Sequence, residues 1–156
     1  MGKLLLFGLL LALPARAAEH EWSFSGGAGL AYELVGVNLA YRSGQVEGYL
    51  GVGVMTVLEG ASGGARFFTR PGGSGFFVGL NLGAHMTFFH DQETTFRIYS
   101  ATITPGWRFV LGERTFAQLA AGGGLAYSFR TFRTPPSPER SVLPTPDLLA
   151  GIGFSF

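Results

Sequence analysis

Cysteine is absent from the 156 residues, lysine occurs once, at Lys3, and charged residues make up only 13% of the chain. Without cysteine no disulfide can staple the fold, and no thiol is available as a nucleophile. A soluble domain carries about a quarter charged residues, so half that amount cannot cover the outside of a soluble barrel or helical bundle. A disordered chain is excluded as well, since 47% hydrophobic and 14% aromatic residues contradict its low-hydrophobicity signature. Arginines are scattered rather than clustered, which removes the electrostatic drive for nucleic acid. Beyond the first residues no run approaches 18 apolar positions, so membrane-spanning helices are not expected.

What is abundant is glycine, at 25 residues, and phenylalanine, at 15. The chain starts with Lys3, the apolar run Leu4 to Leu13, Pro14 and the triplet Ala15-Arg16-Ala17. A positive start, a short apolar stretch and a small-x-small site are the parts of a secretory signal peptide. Residues 1–17 are therefore expected to be removed and 18–156 to form one exported domain.

Period-two alternation fills the remainder. From Gly75 to His90, Phe76, Val78, Leu80, Leu82, Ala84, Met86 and Phe88 share one face, opposite Phe77, Gly79, Asn81, Gly83, His85, Thr87 and Phe89. Such alternation marks strands with two unlike faces. It predicts eight: Glu21 to Glu33, Val35 to Arg42, Gln45 to Leu58, Gly64 to Arg70, Gly75 to His90, Thr94 to Leu111, Arg114 to Thr131 and Pro146 to Phe156. The facing of the fourth is left open, and Pro105 predicts a bulge or an early end in the sixth. Tight turns at one end alternate with longer connections at the other, the longest being Phe132 to Thr145. With an even strand number, this is the pattern of an all-β, eight-stranded antiparallel up-and-down transmembrane β-barrel. Its apolar face points to lipid, because closure alone satisfies the backbone where water is absent.

Aromatic residues fall into two belts, Trp22, Phe24, Trp107, Phe109, Phe154 and Phe156 at one end and Tyr32, Phe88, Tyr99, Tyr127 and Phe129 at the other, as rings prefer membrane interfaces. Phe76 and Phe88 lie twelve positions apart, or about 30 Å of height at a tilt near 40°. The C-terminal Leu148, Ala150, Ile152, Phe154 and Phe156 resemble the terminal signal that the barrel assembly machinery reads. With the signal peptide and eight strands, the chain resembles the small OmpA/OmpX/OmpW-type outer-membrane barrels over its whole exported length. That resemblance implies a bacterial outer-membrane location, surrounding lipids and the assembly machinery as partners, and no cofactor.

Eight strands leave an interior only wide enough for side chains. Its expected polar lining is Asn38, Arg42, Glu47, Asn81, His85, Arg108, Gln118, Arg130 and Asp147. Arg42 and Glu47 are expected as neighbours near the turns with Arg108 on the opposite wall, and Arg130 and Asp147 as cross-strand neighbours near the loops. Pairing inside a narrow barrel offsets the cost of burying such charges. Inward glycines either leave a cavity or make room for Tyr49, Phe77, Phe89, Phe116 and Leu149. The near-copies Gly27 to Tyr32 and Gly122 to Tyr127 continue in period two, so they read as repeated hairpin units ending at an outer-belt Tyr rather than as a nucleotide loop, which must open a helix.

No Gly-x-Ser-x-Gly elbow, zinc-binding His-Glu-x-x-His or metal-ligand cluster occurs. Ser128, His85 and Asp147 are the one triad that can be drawn, and His85 and His90 fall on opposite faces of their strand. The lipid A deacylase barrels carry a His-x-Ser pattern that is missing from this chain. The expectation is a non-enzymatic barrel with a structural or interactive role, in which the proline-rich Phe132 to Thr145 loop meets surface ligands. A narrow channel or carrier for small, possibly hydrophobic ligands is the first alternative, and a lipid-modifying enzyme the second.

Overall fold

The structure, a computed structural model, describes residues 20–55, 58–87, 94–132 and 138–156. The signal peptide expected at 1–17 lies outside them. Eight strands follow in chain order: β1 (His20–Gly29), β2 (Leu34–Ser43), β3 (Val46–Met55), β4 (Leu58–Phe68), β5 (Gly75–Thr87), β6 (Thr94–Val110), β7 (Thr115–Phe132) and β8 (Pro138–Ser155). Each pairs antiparallel with its successor, and β8 closes on β1 to complete the barrel.

Register fixes the shape of the ring. Ala28 faces Val35, and the line runs on through Val54, Glu59, Met86, Arg97 and Phe129 to Arg140 on β8. Ala28 itself pairs with Ala150, ten residues from where that line arrives. A stagger of ten over eight strands, with ordinary strand rise and spacing, tilts the strands by about 40°. The same stagger makes the loop end uneven. Residues Pro138 to Leu149 of β8 have no partner on β1, so β6, β7 and β8 stand as a wall that rises about 30 Å above the end of β1.

The faces are inverted relative to a soluble protein. Leu50 is 74% exposed, Leu148 72% and Val35 63%, whereas Glu47 and Arg66 are each 1% exposed and Arg108 4%. Trp22, Phe24, Trp107, Phe109 and Phe154 face outward near the turn end, and Tyr99 and Tyr127 face outward near the loop end. Phe88 and Phe89 lie outside the described residues. The interior is filled: Tyr49, Phe77, Phe116 and Leu149 are all buried, so the inward glycines give their space to these rings and chains.

Four expectations change. First, β1 ends at Gly29, and Leu30–Tyr32 forms a single 3-10 turn; Tyr32 is fully buried rather than part of the outer belt. Second, β4 begins at Leu58, its inward face carrying Gly60, Ser62, Gly64, Arg66 and Phe68. Third, Pro105 causes neither a bulge nor an early end. Thr104 and Pro105 lack partners on β7, but pairing resumes at Gly106 in the same register. The amide of Leu111, of like parity, points to β7, so the missing N–H at Pro105 falls on that side. Fourth, most of the expected Phe132 to Thr145 loop belongs to β8, leaving only 133–137 outside the described residues.

Prolines within β8 are explained by where their nitrogens point. The Ser155 amide bonds to the Arg114 carbonyl just before β7 and the Phe156 amide to the Trp22 carbonyl of β1, so even-numbered residues aim their N–H away from β7. Pro138, Pro144 and Pro146 are all even-numbered, and above Ala150 that side is the bare edge of the wall. Proline is tolerated there, and it blunts an edge that would otherwise pair with another strand.

Candidate functional site

The lumen holds two polar layers and a plug. In the layer near the turns, Glu47 of β3 is the hub: Arg108 reaches its two oxygens at 2.6 and 2.7 Å and Arg66 reaches it at 2.6 Å. Arg108 also donates to Gln118 Oε1 at 2.9 and 3.2 Å. Aromatic faces complete the cage, with the Arg66 guanidinium 4.1 Å from the Tyr49 ring centre and that of Arg108 4.2 Å from Phe116 and 4.7 Å from Phe68. Such faces attract a cation, which matters because Nε and Nη2 of Arg66 have no hydrogen-bond partner. Arg42 is the register neighbour of Glu47 but pairs with Glu21 and donates to the Gly44 carbonyl at 3.3 Å.

The middle layer centres on Asp147. Its Oδ2 accepts from Asn81 Nδ2 at 2.8 Å and from the Thr102 hydroxyl at 2.6 Å, and its Oδ1 accepts from the Leu30 amide at 3.2 Å. Asn81 donates to Thr104 at 3.0 Å as well and accepts from the Tyr49 hydroxyl. A buried carboxylate with three donors needs no cation to satisfy its oxygens.

Segment 30–34 closes this interior from the loop end. Tyr32 drops toward the axis and donates to Ser25 Oγ at 3.0 Å, while Gln118 Nε2 donates to the Tyr32 oxygen at 2.6 Å. Its ring occupies space that a side chain at Gly27 or Gly151 would fill. Ser62 donates to the Ala31 carbonyl at 2.9 Å. Glu33 and Leu34 both take positive φ, 53° and 76°, a conformation costing about 1–3 kcal/mol at a non-glycine residue. Glu33 is 1% exposed, with Oε2 2.6 Å from His85 Nδ1. The angle there is not that of a hydrogen bond, and neither carboxylate oxygen has a hydrogen-bond partner.

Of the residues expected inside, Asn38, Arg42, Glu47, Asn81, His85, Arg108, Gln118 and Asp147 are buried. The expected Arg130–Asp147 neighbourhood does not form: Arg130 is opposite Glu139, and Asp147 is opposite Gly122, because β8 continues upward past the predicted loop. The side chain of Arg130 lies outside the described residues. Two central residues escaped sequence reasoning. Arg66 lies in the glycine-rich fourth strand whose facing had no pattern, and Glu33 lies where alternation appeared to continue. For Arg66 a signal existed, since Phe68 and Arg66 share parity and a barrel with Glu47 inside needs cations.

The drawn triad is not assembled. Ser128 bonds Ser141 at 2.5 Å on the wall, His85 faces Glu33, and Asp147 serves Asn81, Thr102 and Leu30. His90 lies outside the described residues. Among the described residues no group of three or more His, Asp or Glu side chains is placed to hold a metal. No protein family, curated protein or solved structure matches the chain.

Proposed function

We propose that the chain is an integral barrel of a bacterial outer membrane, built like the small OmpA/OmpX/OmpW-type barrels, with a closed lumen and a structural or contact-making role. The observation that carries this reading is the inversion of faces: large apolar side chains cover the outside while arginine, glutamate and aspartate are paired within. In water that exterior would aggregate; in hydrocarbon it is the required surface, and the closed backbone ladder leaves no strand edge at barrel depth. Exposed Ile152, Phe154 and Phe156 suit a terminal strand handed to an assembly machinery. The wall of β6–β8 offers the contact surface that the shortened loop does not, with Tyr127, Val142 and Leu143 exposed and Arg140 5.7 Å from the Phe129 ring centre.

Refolded protein is expected to float with lipid vesicles and to migrate faster on a gel when unheated than when boiled. Planar bilayers containing it are expected to show no conductance steps. Regular steps from the unaltered protein that Glu47→Gln abolishes would overturn the closed lumen. Lipid A from cells with and without the protein should give identical mass spectra, and a changed acylation pattern would replace the structural role with an enzymatic one.

A further inference from the structure

At the turn end a recess of about 700 Å³ is lined by Trp107, Phe109 and Val110 together with Arg42, Arg70, Arg108 and Arg114. Four guanidinium groups meet two carboxylates there, Glu21 and Glu113. The two inner cations are already committed, Arg42 to Glu21 and Arg108 to Glu47 and Gln118. Arg70 is not. Its Nη2 is shielded from solvent and has no hydrogen-bond partner, and an unpaired guanidinium nitrogen is costly to leave so.

Arg70 stands where the lipid-facing surface meets the turns. The place a Cβ would take on Gly75 lies 3.8 Å from Arg70 Cδ, 3.9 Å from its Nε and 3.9 Å from Trp107 Cζ2. Gly75, at φ +83°, therefore brings the guanidinium and the belt indole together over one bare stretch of backbone. Apolar side chains and guanidinium groups therefore line the same recess. That combination fits an amphiphile rather than a free anion: a free phosphate would use the arginines and leave the indole and Phe109 without a role, and an acyl chain alone would do the reverse.

We propose that this recess binds the phosphate of an anionic phospholipid from the leaflet surrounding the turn end. Arg70 and Arg114 hold the phosphate oxygens, a geometry that the planar guanidinium fork suits, and Trp107, Phe109 and Val110 receive the first carbons of the acyl chains. The site rests on the membrane reading above. Guanidinium groups near the headgroup favour net negative charge, so preference for a charged over a zwitterionic headgroup should be about tenfold.

The test is native mass spectrometry of the refolded protein released from micelles doped equally with phosphatidylglycerol and phosphatidylcholine. The expected result is one retained phosphatidylglycerol, favoured about tenfold, with the ratio falling to near one in the double variant Arg70→Gln, Arg114→Gln. Both positions lie outside the lumen network, and an unchanged heat-dependent gel shift would show that the variant barrel is closed. Equal retention of the two lipids, or a preference that survives the double substitution, overturns the site. Loss of the bound lipid to excess inorganic phosphate would assign the recess to a free anion and overturn the lipid source. Protein that fails to float with vesicles overturns the membrane reading and this site with it, whereas floating protein without lipid preference overturns the site alone.

Discussion

Gly27-Ala28-Gly29-Leu30-Ala31-Tyr32 and Gly122-Gly123-Gly124-Leu125-Ala126-Tyr127 differ at one position, yet they take unlike structures. In the first, Gly29 adopts φ 121°, the chain leaves β1 and Tyr32 ends in the core of the lumen. In the second, β7 runs straight on and Tyr127 stays on the outer face, 37% exposed. Neighbours make the difference. Residues 122–127 have β8 beside them throughout and β6 along most of their length, Tyr127 lying between Tyr99 and Val142. Gly29 has a register partner on β2 but none on β8, whose edge above Ala150 carries Pro146 and Pro144 and so offers no N–H at those positions. A strand without a neighbour on one side loses half its ladder bonds, and burying Tyr32 with its two hydrogen bonds becomes the better outcome.

That contrast can be broken at its strongest point first. Tyr32→Ala removes a buried ring and both of its hydroxyl bonds, at an expected cost of about 4 kcal/mol, while Tyr127→Ala on the outer face should cost less than about 1 kcal/mol. Urea unfolding of the two variants in vesicles, followed by tryptophan fluorescence, measures both. Gly29→Ala should come next, at about 2–3 kcal/mol, since its dihedrals suit glycine almost alone and a Cβ there would run into the backbone of Leu148 and Leu149. The same unfolding assay checks it.

Asp147→Asn should cost about 2 kcal/mol by weakening charge-assisted bonds from Asn81 and Thr102 and the hold on the Leu30 amide. Its signature is local: amide exchange at Leu30 should accelerate more than exchange in β7. Gly123→Ala is the mildest change and the sharpest test, because it makes the two hexapeptides identical. A Cβ there comes to 3.1 Å from the Thr145 carbonyl oxygen, a small adjustment on an outer face, so stability should move by less than about 0.5 kcal/mol. Backbone chemical shifts should keep residues 122–127 extended; a turn like that at Leu30 would show that the hexapeptide, not its neighbours, decides.

This pair also explains which parts of the fold were readable in the chain. Strands with one apolar face and one mixed face, such as Gly75–Thr87, declare themselves through period two. β4 does not, because glycine and alanine occupy both faces of Glu59 to Ala65 and erase the contrast that facing depends on; Arg66 was hidden with it. β8 above Pro146 does not read as a strand because proline ordinarily ends one, and only the parity of its nitrogens on a bare edge makes it harmless. The plug was illegible for a different reason. Nothing within residues 27–34 says that pairing with β8 will stop at Ala28; that depends on the strand across the seam, whose edge above Ala150 carries Pro146 and Pro144. Arg42, Glu47 and Arg108 are all buried, but their partners do not follow from facing alone: Arg108 reaches Glu47 across the lumen, and Arg42, flanked in register by both Glu21 and Glu47, pairs with Glu21.

The join between β1 and β8 is the shortest of the eight, Ser23–Ala28 against Ala150–Ser155, extended by the reciprocal bonds of Trp22 and Phe156 at 3.3 and 2.9 Å. It also unites residues more than a hundred positions apart, where loop closure is entropically most demanding. Successive hairpins can therefore zip in order while the ring stays open, and the last join waits on β1 and β8. Tyr32, lodged between Ser25 on β1, Gln118 on β7 and Gly151 on β8, spans that join from within, so the residue that stoppers the barrel is also the pin that locks its final seam.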